Sequence, residues 1–179
     1  MNKKNDQISK NFQWWEMLVS NDFPEIVNKY SLFPTRELTE LEISIVYNDL
    51  SDEANSNQFD DIYVYCWWLR TKIFGFTFST IQPLRTEINL VFTILNGYRP
   101  DELNYAVGGH PNSKHRMFGF DCATDFTVEH CDEGFYKREF EKVLKLTRVP
   151  FGKCIIYPER LFVHIDNIDK DSQYEVIYK

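Results

Sequence analysis

The residues of this chain that could do chemistry together are two histidines and a nearby carboxylate. His115 follows a polar turn, Gly108 to Lys114, and His164 lies between β-branched residues late in the chain. Alone, each would ordinarily be a surface or half-buried histidine. Together with Asp125, they supply the nitrogen and oxygen ligands of an open zinc site, in which one position is left for a water that the metal acidifies.

A second carboxylate belongs to the same pattern. Asp166 follows His164 by two residues, so both side chains project to one face if the segment is a strand. A carboxylate in that place could orient the histidine or act as a base.

Composition limits the protein's class and its partners. The chain has 179 residues, of which 43% are hydrophobic and 16% aromatic, and this predicts one folded domain. Its net charge of -7 argues against nucleic acid or an anionic membrane surface as a partner. We find no apolar run of about 18 residues and no leader-like apolar segment, so we expect no stable membrane insertion and a protein that is cytoplasmic as synthesised.

Hydrophobic spacing predicts both helices and strands. Helices are expected over Ser9–Val19, Thr39–Leu50, Asp60–Lys72, Thr80–Asn89 and Phe135–Thr147. Strands are expected over Leu90–Leu95, Lys153–Tyr157, Arg160–Ile165 and Glu175–Tyr178. Because the strands gather late in the chain, the pattern favours an α+β fold.

Several motifs, taken in chain order, resemble those of the D-Ala-D-Ala carboxypeptidase-like zinc peptidases, in particular their phage-type branch. They are Gly97-Tyr98-Arg99, Val107-Gly108-Gly109 with Asn112-Ser113 and His115, Ala123 with Asp125, and Tyr157 with Phe162-Val163-His164-Ile165-Asp166. The segments Ile8–Leu18 and Ile81–Arg85 are similar to that branch too. The resemblance spans residues 1–179 as a single peptidase-like domain, with a divergent helical and aromatic insertion at about 24–80.

The resemblance implies a small central antiparallel sheet flanked by helices and a zinc site of the D,D-peptidase type. In that site Zn²⁺ is held by His115, Asp125 and His164. Ser113 and Tyr157 are assigned to substrate binding. Arg99 would hold a substrate carboxylate or polarise the carbonyl under attack, a task that suits its permanently charged, forked guanidinium.

Two departures from the family pattern leave alternatives open. The interval between His115 and Asp125 is longer than the family's, so Asp121 and Cys122 are alternative second ligands, Cys122 as a thiolate. Many relatives carry a carboxylate three residues before the last histidine, where this chain has Leu161. The remaining candidates for the general base are Asp166 and Glu159.

The function that the resemblance implies is hydrolysis of an amide bond in a peptidoglycan stem peptide or crossbridge. The protein would act as an endolysin-like endopeptidase or a D,D-carboxypeptidase, with a phage structural or lysis partner. It would then be carried on the virion or released to the cell wall during lysis. One alternative is a catalytically inactive phage structural or binding protein that keeps the fold, and another is a binding module built on the aromatic cluster Tyr63–Trp68.

Overall fold

The computed structural model describes residues 7–17, 23, 26, 53–55, 57–167 and 175–179. The helix expected over Thr39–Leu50 lies outside these residues. The helix expected over Ser9–Val19 is replaced, in the part described, by a bridge between Gln7 and Gln13 and a 3-10 turn over Trp14–Met17. No helix in the described ranges combines the length and the apolar character needed to cross a bilayer.

The α-helices whose bounds fall within the described residues all lie between residues 62 and 146. They are α1 over Ile62–Phe76, α2 over Gln82–Ile88, α3 over Asp101–Ala106, α4 over Glu133–Arg138 and α5 over Phe140–Leu146. A π-helical turn over Thr77–Ile81 joins α1 to α2 without a break. The helices expected near residues 60–72 and 80–89 are therefore confirmed. The helix expected over Phe135–Thr147 is two helices, because Glu139 departs from helical geometry with a φ of -110°.

The strands form one five-stranded sheet in the order β1-β2-β4-β3-β5. They are β1 over Phe92–Asn96, β2 over Ala123–Val128, β3 over Lys153–Tyr157, β4 over Phe162–Asp166 and β5 over Glu175–Tyr178. The strands β1 to β4 pair antiparallel, but β5 runs parallel to β3. The fold is α+β as expected, whereas the expectation of an antiparallel sheet is wrong for this pair, and the sheet is mixed.

The two faces of the sheet differ in burial. Phe126 on β2 and Val163 and Ile165 on β4 are fully buried, whereas Asp125 and His164 are only partly so. Such alternation is typical of a sheet with one face on the core and one open face. The partly open face carries the site described below.

Helices α4 and α5 close the core face through aromatic side chains. The ring of Phe126 stacks on that of Phe92 with centroids 4.3 Å apart and meets that of Phe140 at 6.3 Å. The buried Tyr136 hydroxyl accepts the Val128 N–H at 2.7 Å, which ties α4 to the end of β2. These contacts fix the core face of β2, the strand that carries Asp125 on its opposite face.

Candidate metal site

Three side chains from different parts of the chain converge on the open face of the sheet. His115 comes from a 3-10 turn over Lys114–Arg116, Asp125 from β2 and His164 from β4. The Asp125 Oδ1 atom lies 3.2 Å from His115 Nε2 and 2.8 Å from His164 Nδ1. The two histidine nitrogens are themselves 3.2 Å apart. One atom from each residue thus lies within 4.8 Å of the others, and the group could hold a metal ion.

Strand register explains why Asp125 and His164 meet. They are direct partners in the antiparallel pairing of β2 with β4, so their side chains leave the same face of the sheet. Opposed residues in such a pair have Cβ atoms about 4.5–5.5 Å apart. Two of the three candidate ligands are therefore set by the backbone hydrogen bonds of the sheet.

The third candidate ligand, His115, is held by the segment over residues 97–99, which precedes it in sequence and packs against it. Its Nδ1 lies 2.8 Å from the Gly97 carbonyl oxygen. Because a carbonyl can only accept, Nδ1 must carry the proton, and in the neutral ring this leaves the Nε2 lone pair for a ligand. The backbone supports the same pairing, since the Arg99 N–H donates to the His115 carbonyl at 2.8 Å.

His164 is backed by Asp166 on the side away from the other two ligands. Its Nε2 lies 3.9 Å from Asp166 Oδ2. Asp166 is itself held, because its Oδ1 accepts the Lys153 N–H at 2.6 Å and its Oδ2 faces the Lys114 ammonium at 3.4 Å. A carboxylate behind a ligating histidine fixes its tautomer and its ring orientation. This geometry favours the orienting role of Asp166 over the role of base.

The group is electrostatically coupled. Burial alone would raise the pKa of Asp125, but the charges and hydrogen bonds of His115 and His164 hold it well below its ordinary value. Burial would likewise lower the pKa of His164, whereas Asp125 and Asp166 together raise it to about 9. Without a metal, Asp125 is therefore ionised and His164 protonated at neutral pH.

Metal affinity should consequently depend on pH. A proton on His164 Nδ1 competes with a metal for the same lone pair, so we expect affinity to rise by about tenfold per pH unit until the pKa near 9 is reached. Titration with Zn²⁺ against a competing chelator at pH 6 and pH 8 should then differ by about a hundredfold. In the D166N variant the rise of metal affinity with pH should end at a lower pH, because Asp166 contributes to the raised pKa of His164. Equal affinity at both pH values would contradict ligation by His164.

The donor set itself fits a divalent metal. Two imidazole nitrogens and one carboxylate oxygen make up a common set of protein ligands for zinc and for other divalent ions. The second ring nitrogen of His115 is within hydrogen-bond distance of an acceptor, as in most ligating histidines, and that of His164 lies 3.9 Å from the Asp166 carboxylate. Among the described residues, neither Asp121 nor Cys122 belongs to the group, and the raised pKa of Cys122, which burial causes, disfavours its thiolate.

The other residues expected at the site lie at different distances from it. The Arg99 guanidinium is 3.8 Å from Asp125 Oδ2, which places it at the edge of the group. Ser113 immediately precedes the turn that carries His115, and it is partly exposed. Tyr157 is on β3, where its pKa is raised by burial and then by the charge of Asp125. Glu159 is exposed in the 3-10 turn over Pro158–Arg160 between β3 and β4.

Sequence reasoning gave no role to three residues that support the group, although Gly97 belongs to one of the motifs it singled out. Gly97 supplies the carbonyl that fixes His115, and Lys114 faces Asp166. Asn96 pairs with Asp125 across β1 and β2, and its amide lies between Asp125 and Arg99. Asn96 directly precedes the Gly97-Tyr98-Arg99 motif, and that adjacency was the one signal in the sequence that could have drawn attention to it.

The fold and the site together define an α+β protein with a candidate His-Asp-His metal centre on the open face of a mixed sheet. Comparison of the chain with protein-family models, with curated proteins and with solved structures gives no match. The motif resemblance therefore stays a prediction, and the function has to be argued from the site.

Proposed function

We propose that this protein is a zinc-dependent peptidase that hydrolyses an amide bond in a peptidoglycan stem peptide or crossbridge. The observation that carries the proposal is the convergence of His115, Asp125 and His164, in which both histidines present a ring nitrogen to the same point. The motif resemblance supports the substrate class, and the donor set supports the metal.

The chemistry follows from the residues around that point. Zinc, when bound, supplies a Lewis acid that polarises a carbonyl and lowers the pKa of water. Arg99 keeps its positive charge at any physiological pH and lies at the edge of the group, 3.8 Å from Asp125. It would stabilise the negative charge that develops on the oxygen of the scissile carbonyl. Ser113 and Tyr157 would hold the peptide beside it.

The two carboxylates expected as candidate bases should behave differently when changed. Because both oxygens of Asp166 are engaged, D166N should weaken zinc affinity by about 10–100-fold when it is compared above pH 9, where His164 carries no competing proton in either protein. Glu159 is free of the ligand group, so E159Q should leave zinc affinity unchanged and lower kcat by about a hundredfold if it transfers the proton. Measuring zinc affinity and turnover on both variants separates the roles. Full turnover by E159Q would exclude it as the base.

A second candidate function is a protein that keeps the metal site without catalysis, as a phage structural or binding component. The observation that favours it is that the site offers no obvious carboxylate for the role of general base among the described residues. Asp166 is held by Lys153 and Lys114, and the position three residues before His164 is Leu161. In such a protein the metal would stabilise the fold.

One experiment separates the two candidates. The chelator-stripped protein is reloaded with Zn²⁺ and incubated with purified peptidoglycan, and the released fragments are identified by mass spectrometry. New amino termini within crossbridges would indicate an endopeptidase, and free D-alanine a carboxypeptidase. The D125N variant, which keeps the side-chain shape but loses the charge, is the matched control. A protein that binds one zinc and releases nothing would overturn the peptidase and favour the structural role.

A further inference from the structure

A buried carboxylate outside the candidate metal site accepts hydrogen bonds at both of its oxygens. Glu53 is only 4% exposed. Its Oε2 accepts the hydroxyl of Tyr65 at 3.0 Å and that of Tyr98 at 2.5 Å, and its Oε1 accepts the Asp101 N–H at 2.8 Å. A buried acid is retained only where its hydrogen bonds compensate for the loss of water. This cluster of donors therefore calls for an explanation.

Two of the three donors lie on either side of Arg99. Tyr98 precedes it and Asp101 opens α3 after it, so Glu53 holds both ends of the turn over residues 98–101. Asp101 is also fixed from the other side, because its Oδ2 accepts from the Arg116 guanidinium at 2.7 Å. The third donor, Tyr65, belongs to α1 and lies outside the turn, although its hydroxyl also interacts with that of Tyr98.

The turn is in direct contact with the candidate metal site. The Gly97 carbonyl, next to Tyr98, accepts from His115 Nδ1. The Arg99 N–H donates to the His115 carbonyl, and its guanidinium faces Asp125. Any shift of the turn would therefore move the groups that fix two of the three candidate ligands.

We propose that Glu53 is a positioning residue of the metal site, whose carboxylate holds the turn over residues 98–101 so that Gly97 and Arg99 stand against His115 and Asp125. The inference rests on the proposed metal site and assigns a role within it to a segment distant in sequence. Burial raises the pKa of Glu53 to about 7, against the Tyr98, Asp101 and Tyr65 hydrogen bonds and with the charge of Asp101. The groups that face it also include Arg116, whose pKa is raised first by its hydrogen bond to Asp101 and to a smaller extent by the charge of Glu53.

The two tyrosines provide a matched pair of variants for the test. Y98F and Y65F each remove one hydroxyl from the same Glu53 oxygen, and both side chains are fully buried. Only Y98F removes a hydrogen bond between Glu53 and the turn over residues 98–101. E53L removes all three contacts, whereas E53Q keeps an acceptor for the Asp101 N–H and a polar group for the tyrosines. Affinity for Co²⁺ and its visible absorption spectrum are measured on each variant, after circular dichroism confirms that it is folded.

We expect E53L and Y98F to weaken Co²⁺ affinity by about tenfold or more and to change the spectrum, as the loss of a ligand's supporting partner does. Y65F and E53Q should bind like the parent protein, even where Y65F lowers the melting temperature as much as Y98F. Equal affinities for folded Y98F and Y65F would overturn the inference and leave the metal site intact. A parent protein that binds no Co²⁺ or Zn²⁺ would overturn the proposed function, and the inference with it.

Discussion

Replacing His115 or His164 by alanine is expected to abolish stoichiometric zinc binding. Each residue supplies one of the three ligand atoms that converge within 4.8 Å among the described residues. Loss of a partner that merely supports a ligand costs up to about a hundredfold in affinity, so loss of the ligand itself should exceed that value. The measurement is metal content after gel filtration together with a chelator-competition titration. Clearing of peptidoglycan should be lost in parallel if the protein is the proposed peptidase.

His110 offers the control for these variants. It lies in the same polar loop as His115, but it is exposed and outside the candidate ligand group of the described residues. H110A should therefore bind zinc like the parent protein. Loss of zinc in H110A, or its retention in both H115A and H164A, would contradict the proposed ligand set.

The second large effect is a loss of stability, which is expected when the substitution G97A adds a single methyl group. A Cβ added there would lie 2.5 Å from the Met17 carbonyl oxygen and 2.8 Å from the Met17 Cα, and both are backbone atoms. The segments are also joined, because the Tyr98 N–H donates to the Met17 carbonyl at 2.7 Å. G97A should therefore lower the free energy of unfolding by about 2–3 kcal/mol, as overpacking of a rigid contact does. Urea denaturation measures the change.

Zinc affinity should fall in the same variant, because the Gly97 carbonyl fixes His115. The control is G75A, at a helical position where an added Cβ meets nothing within 4 Å. That variant should be stabilised by up to about 1 kcal/mol, since alanine is the better helix former. A G97A protein as stable as the parent would mean that the chain near Met17 yields easily.

The chemistry of the site was accessible from the sequence because it depends on residue types. Histidines and a carboxylate in polar or strand-like surroundings predict a metal site, and His115, Asp125 and His164 are brought together in the structure. The strand that carries Asp125 was not expected. Its last four residues, 125–128, do alternate polar with apolar side chains, but this is the shortest alternation that indicates a strand and it was overlooked.

The supports of the site were not accessible, because they are contacts between distant residues. Glu53 meets Tyr98 across 45 positions and Asp101 across 48. A single glutamate in a polar stretch gives no signal that it will be buried. The role of the Gly97 carbonyl could not be predicted for another reason. Every residue has a carbonyl group, and only the fold decides which one accepts a hydrogen bond from His115.

The sheet order was also out of reach. The expectation of an antiparallel sheet came from the family resemblance, whereas the general rule is only that neighbouring strands in a chain tend to pair. The pairing of β3 with β4 follows that rule across the short turn over Pro158–Arg160, whereas β5 pairs parallel with β3. Nothing in the side chains of Glu175–Tyr178 distinguishes the two directions.

The central position of β4 has a consequence for the nascent chain. Among the strands that the structure describes, β4 is the fourth to leave the ribosome, yet it lies between β2 and β3. Until it inserts, β2 has an uncovered edge, and the growing chain presents His115 and Asp125 without their third partner. Capture of the proposed metal would therefore be a late event in biosynthesis, and a ribosome that stalls before His164 would leave a chain with both an incomplete candidate site and an edge open to wrong pairing.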